Sequence, residues 1–212
     1  MKKHHFGYLL CLSLFLSTGC GPKERSLSEL NQIQENGRTN YIYKGEAFEG
    51  FALIEEAGQL IAKYTVVAGE FNGPAYFYDK ENRLIRMETY RKGVLSGLYE
   101  AYFPDGTPRL SFNYLDGEKH GKYSVYFAPG QLKEQLTYDA GIIKGDNYLY
   151  YKDGKVQHHF HFNAKGERHG VWEKFHPNGN PKEYLVFKNG QLVAPIKRYD
   201  LNGNLLSYNS SK

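Results

Sequence analysis

The sequence predicts an all-β protein: an elongated antiparallel β-meander of repeated hairpins forming a single-layer ribbon. Two glycine series and an excess of aromatic residues carry that prediction. Gly50, Gly73, Gly97, Gly121, Gly145 and Gly170 follow one another at intervals of 23 to 25 residues, which marks a chain built from one supersecondary unit used repeatedly. Gly69, Gly93, Gly117, Gly141, Gly166 and Gly190 form the second series, each four residues ahead of the next unit, with Ala194 closing the first series in place of glycine. Nineteen Tyr and 13 Phe among 212 residues favour pleated sheet, where rings pack well on a half-buried surface. Two Cys are too few for a disulfide scaffold or a four-thiolate metal site. The net charge of +4, mixed in sign along the chain, gives no footprint for nucleic acid.

The first segment is an address. Lys2 and Lys3 precede an apolar stretch from Phe6 to Leu16, too short to span a bilayer as a stable helix, and the string Leu16-Ser17-Thr18-Gly19-Cys20 follows. This resembles the bacterial lipoprotein signal, which implies diacylation of the Cys20 thiol, cleavage before it and acylation of the new amine. Residues 1–19 are then a removed signal peptide, and Cys11 goes with them. The remainder carries 25 bases against 23 acids and is nearly neutral. Several acyl chains anchor stably where one is marginal. Gly21 rather than Asp follows the cysteine, which by the resemblance implies the outer membrane of the cell envelope. Residues 20–44 are polar with few large apolar groups, so they read as a lipidated tether holding at most a short helix around Ser28 to Gln34.

The repeat domain is expected over 45–208. Inside each unit a third punctuation mark recurs: Asp105-Gly106, Asp153-Gly154, Asn178-Gly179 and Asn202-Gly203, with Ala57-Gly58, Glu81-Asn82 and Pro129-Gly130 at equivalent places. Asp-Gly and Asn-Gly between alternating apolar residues point to hairpins closed by type I′ turns, since glycine and Asn tolerate the positive φ needed at both centres. After the turn glycine the apolar positions alternate cleanly, as in Leu132, Leu136 and Tyr138 or Val156, Phe160 and Phe162. Looping out two turn residues sets Phe103 opposite Pro108, Ala101 opposite Leu110 and Tyr99 opposite Phe112, so both strands share an apolar face. Six hairpins and a truncated seventh make a ribbon on the order of 60 Å long at about 4.8 Å per strand.

Units such as Gly97-Leu98-Tyr99-Glu100-Ala101-Tyr102-Phe103-Pro104-Asp105-Gly106, followed by Asp116-Gly117-Glu118-Lys119-His120-Gly121, resemble the bacterial variant of MORN repeats found in proteins often labelled YwqK-family antitoxins. The resemblance spans about residues 45 to 205. Asn147 departs from it at the expected first aromatic of the fifth unit, and one extra residue lies between Phe162 and Gly166. The family is a scaffold family without common catalytic residues, so the resemblance implies no chemistry.

His158-His159-Phe160-His161 is the most metal-like cluster, with His159 and His161 on one face of a strand, yet the strand holds no further ligand and the two occupy columns otherwise filled by solvated residues. His120 and His169 recur at the same place in two units, as scaffold residues do. The aromatic residues four before each turn, Tyr78, Tyr102, Tyr126, Tyr150, Phe175 and Tyr199, form a column headed by Ile54 that points away from the main apolar face. That column is either a binding stripe for a protein or glycan partner or a self-packing ladder. With no phosphate loop, catalytic triad order or paired carboxylates, the sequence predicts a non-catalytic chain without cofactor or metal. The expected function is a membrane-anchored interaction scaffold, with an antitoxin or immunity protein as the alternative.

Overall fold

The computed structural model describes residues 22–209. The leader expected over 1–19 and the acylation site Cys20 lie outside the described residues. Four short strands come first: β1 (Glu24–Ser26), β2 (Asn31–Glu35), β3 (Arg38–Tyr43) and β4 (Glu46–Ala47). The meander then runs through β5 (Gly50–Glu56), β6 (Gln59–Val67), β7 (Glu70–Tyr78), β8 (Leu84–Arg91), β9 (Val94–Leu95), β10 (Gly97–Tyr102), β11 (Pro108–Leu115) and β12 (Glu118–Ala128). It continues through β13 (Gln131–Asp139), β14 (Ile142–Ile143), β15 (Gly145–Tyr150), β16 (Val156–Phe162), β17 (Gly170–Phe175), β18 (Pro181–Lys188), β19 (Gln191–Leu192), β20 (Ile196–Tyr199) and β21 (Leu205–Asn209). β9 and β10 both pair with β8, β14 and β15 with β13, and β19 and β20 with β18, so each couple is one strand interrupted by a bulge. The result is an open sheet of successive hairpins in which every pairing along the meander is antiparallel, as the glycine spacing predicts.

The two glycine-rich turn classes differ: the type I′ expectation holds at the Ala57-Gly58 tip (51° and 78°) but fails at the Asp-Gly and Asn-Gly tips. Type I′ geometry, with positive φ at both centres, occurs mainly between units: Ala68-Gly69 (50° and 78°), Lys92-Gly93 (50° and 78°), Asp116-Gly117, Ala140-Gly141 and Asn189-Gly190. At the Asp105-Gly106 tip only the glycine is positive. Gly106 N–H donates to Phe103 O (2.9 Å) and Phe103 N–H donates to Thr107 O (2.8 Å), which is a type I turn followed by a left-handed glycine. The same two bonds recur at Asn82, Gly154, Gly166, Gly179 and Gly203. The aspartate takes part through its side chain: Asp105 Oδ1 accepts the Thr107 N–H at 2.9 Å. The longer turn moves the register by one, so Tyr102, not Phe103, pairs with Pro108, while Ala101 still meets Leu110 and Tyr99 meets Phe112.

The first glycine series has a different task. Gly97 sits at φ +118°, and a Cβ built on it would lie 2.9 Å from Thr89 Cγ2 of the neighbouring strand. Thr89 Oγ1 uses that close approach to donate to Leu98 O at 2.8 Å. Asn147, the departure from the repeat, performs this stitching from the other side. Fully buried, it accepts the Thr137 N–H on Oδ1 at 2.8 Å and donates from Nδ2 to Gly145 O at 2.7 Å. An aromatic residue there would leave the Thr137 amide without that bond, so the substitution exchanges ring packing for a satisfied polar plug.

The polar tether expected over 20–44, with its short helix near Ser28 to Gln34, is replaced by a folded cap. Leu27–Glu29 forms one 3₁₀ turn, β2 and β3 pair as a hairpin, and β1 adds to β5 in parallel. Its largest apolar side chains gather at one place: Leu30, Tyr41 and Phe48 are buried against Ala52 and Val66, with Leu27, Tyr43, Tyr64 and Phe71 around them, while Ile33 on β2 stays exposed. Backbone bonds fix the cap to the first units, Tyr41 N–H to Gly69 O (2.6 Å), Gly69 N–H to Phe48 O (2.9 Å) and Phe51 N–H to Lys23 O (2.7 Å). Mean composition hid this because three well-placed large residues suffice to bury a short hairpin on a sheet that already exists.

Candidate interaction surface

Strand alternation gives the ribbon two faces. The first carries a column that the registers connect from strand to strand: Ala52, Tyr64, Ala75 and Glu88, then Tyr99 and Phe112, Tyr123 and Leu136, Asn147 and Phe160, Trp172 and Leu185. Its rings pack in clusters. Tyr99 stacks on Phe112 at 4.7 Å, and Phe160, Phe162, Trp172 and Phe187 form an edge-on group with centroids 5.2 to 5.9 Å apart. Lys119 Nζ lies over the rings of Phe112, Tyr123 and Tyr138 at 4.8 to 5.2 Å, and Arg168 lies over Phe187 at 4.6 Å. These two cations hold equivalent places in their units, just ahead of His120 and His169. The sequence showed the repetition but gave no sign that the cations cover rings.

The expected stripe lies on the second face. Tyr78, Tyr102, Tyr126, Tyr150, Phe175 and Tyr199 are all half-buried and sit in alternate strands. Tyr102 shares its face with Glu100, to which its hydroxyl donates at 2.9 Å, and Glu100 also accepts from Ser111 Oγ at 3.1 Å. Burial together with that hydrogen bond holds the Tyr102 phenol well above its ordinary value. Tyr150 reaches Gln135 Oε1 at 3.3 Å and packs beside Tyr148, centroids 6.2 Å apart. Among the described residues no two stripe rings stack on each other, because a strand from the same hairpin stands between successive members, as Leu84 does beside Tyr78. The stripe is a row of half-buried rings that do not stack on one another.

His159 and His161 do face the same way, and the structure adds what their own strand lacks. Asp146 comes from β15 and Glu173 from β17: His159 Nε2 and His161 Nδ1 lie 3.2 and 3.0 Å from Asp146 Oδ1, and His159 Nδ1 lies 3.2 Å from Glu173 Oε2. The two histidines, chiefly His161 through its hydrogen bond, hold the Asp146 carboxyl below its ordinary value. Tyr148 stacks on the His159 ring at 4.8 Å and 9°. Both nitrogens of His159 are therefore engaged, and among the described residues no group of three or more His, Cys, Asp or Glu is arranged to hold a metal ion. Asp146 and Glu173 could not be tied to these histidines from sequence, since they lie 13 and 14 residues away from His159 and meet it only across strands. His158, on the opposite face, is pushed below its ordinary value by burial and by Lys174. His120 approaches Asp139 at 3.3 Å, and His169 Nδ1 accepts the Asn189 N–H at 3.4 Å, so both recurring histidines tie a strand to the end of the next one.

The MORN repeat variant family matches residues 119–140 and 168–189, the two units that open on Lys119-His120-Gly121 and Arg168-His169-Gly170. With the sheet of successive hairpins, these matches define the chain as a repeat protein containing MORN repeat variants. No curated protein matches the chain.

Proposed function

We propose that the protein is a non-catalytic interaction scaffold whose β-ribbon displays a binding surface to a protein or glycan partner, held in a bacterial cell envelope by lipid on Cys20. The observation that supports it is the second face: a row of half-buried aromatic rings, regularly spaced by the repeat and not stacked on one another, along an open sheet. Such rings offer large apolar area with hydroxyl handles, the composition that interface anchors favour. The lipobox reading of Leu16 to Cys20 supports the anchor, with Gly21 favouring the outer membrane.

Two experiments test it. Cys20→Ser should release or mislocalise the protein, whereas unchanged membrane retention with an uncut signal peptide removes the anchor. Tyr102→Ala and Tyr126→Ala, in the middle of the ribbon, should abolish capture of the envelope partner while costing only about 1 to 2 kcal/mol in urea unfolding, because half-buried rings lose less than core rings. Destabilisation by about 3 to 5 kcal/mol in both would assign the stripe to the scaffold. The resemblance to YwqK-family antitoxins favours a narrower reading in which the partner is a toxin. A toxin gene beside this one, and neutralisation of its product, would establish that version.

A further inference from the structure

The cap leaves a cleft where its hairpin overhangs the first face. Its floor is aromatic: Tyr41 stacks on Phe71 at 4.5 Å, Phe71 on Tyr64 at 4.4 Å, and Tyr90 leans against both Phe71 and Tyr64 at 5.8 and 6.1 Å. Its rim is cationic and polar, with Arg38 and Thr39 from β3 on one side and Lys92 from the turn at Gly93 on the other, enclosing about 300 Å³. No carboxylate lines it. A second cavity adjoins it, sharing Arg38, Lys92 and Val94 and reaching Arg91 and Asp116.

The charges around the cleft are unequally matched. Arg91 is tightly paired with Asp116 at 2.6 Å, whereas Arg38 meets Glu70 only loosely at 3.6 Å, and Lys92 forms no ion pair among the described residues. Glu88 beneath the floor is paired with Arg86 at 3.0 Å and covered by the Tyr90 hydroxyl at 2.7 Å, which weakens its repulsion of an anion above. Thr39 Oγ1 accepts from Gln34 Nε2 at 2.8 Å, which leaves its own proton to donate. An aromatic floor packs well against the C–H face of a pyranose ring. Two cations with weak or no partners fit one carboxylate, a hydroxyl donor at the rim suits a hydroxyl-bearing ring, and an adjoining cavity suits a chain of such rings.

We propose that this cleft binds an acidic sugar unit of an anionic glycan, its ring against Tyr64 and Tyr90 and its carboxylate between Arg38 and Lys92. The site lies on the first face under the cap, apart from the aromatic stripe of the scaffold reading, so loss of either leaves the other standing.

Calorimetric titration of the full chain with tri-galacturonate and with neutral galactotriose tests it. The acidic trimer should bind, and the neutral one should bind about tenfold or more weakly, the scale of one charge-assisted hydrogen bond. The double variant Arg38→Gln/Lys92→Asn, in which Asn keeps the positive φ of the turn, should lose tri-galacturonate by a similar factor at an unchanged melting temperature. Lys155→Gln, at a distant hairpin tip, should bind as the parent does. Absence of tri-galacturonate binding, equal binding of the neutral trimer, binding that survives the double variant, or binding of hexaglutamate as tight as that of the sugar would each overturn the proposal. The last result would assign the cleft to acidic peptides.

Discussion

The two ends of the ribbon solve the same problem differently. A sheet built by repetition exposes its first and last strands, and this chain covers the first with an apolar cap. Phe48 and Leu30 are 4% and 5% exposed there, Ala52 is fully buried, and Gly50 lets Lys23 O approach so closely that any Cβ would collide with it. At the other end the last hairpin has little apolar cover: Leu201, Leu205 and Leu206 are 58%, 55% and 68% exposed. Its attachment is polar instead. Glu183 on β18 binds Lys174 at 2.7 Å and Arg198 of β20 at 3.1 Å, while Asn178 and Asn180 donate to Leu201 O at 2.6 and 2.9 Å. Repeats contact only their neighbours, so stability is local. The first end is held mainly by burial, with the Lys63–Glu24 pair at 2.7 Å beside it, and the last mainly by polar contacts, whose Glu183 ion pairs respond to pH and salt.

Substitutions can break that contrast. The largest effect is expected at the cap: Phe48→Ala should cost about 3 to 5 kcal/mol in denaturant unfolding and expose β2 and β3 to amide exchange. A cost within the range of surface changes would mean that the cap is not held by its core. An intermediate effect is expected at Glu183. Burial pushes this carboxyl up, but Lys174 and Arg198 outweigh that and bring it below its ordinary value of 4.5. Its contribution is therefore present above about that pH and lost as pH falls through the lower folded value. Glu183→Gln should cost about 1 kcal/mol near neutrality, limited by solvent screening on an open face, and the difference from the parent should shrink as acid protonates the carboxyl. Amide exchange in β20 and β21 reads this locally, and a difference that persists in acid would show that packing holds the last hairpin. The smallest effect belongs to Leu206→Ala, within about 0.5 kcal/mol despite the loss of a large apolar side chain, because that side chain is already in water. A larger loss by thermal melt would show that the last strand is covered.

The sequence by itself determined the repeat. Glycine at regular intervals fixes where the chain reverses, and apolar alternation between reversals fixes which side chains share a face, since both follow from local backbone geometry. It therefore located the hairpin tips, the faces of Tyr99 and Phe112, and the placement of the stripe. Other features depend on residues distant in sequence, and only the tertiary structure decided them. Ala68 and Lys92 take left-handed conformations at the first centres of their turns because strands on both sides demand two-residue reversals, overriding their own preferences, whereas the Asp-Gly tips have room for a longer turn. Asn147 breaks the aromatic pattern because a neighbouring strand presents the Thr137 amide to it. Asp146 and Glu173 meet His159 only after three strands align. The cap was invisible for the same reason. Leu30, Tyr41 and Phe48 are too sparse to form a core of their own, and become one only where Ala52 and Val66 supply the other half.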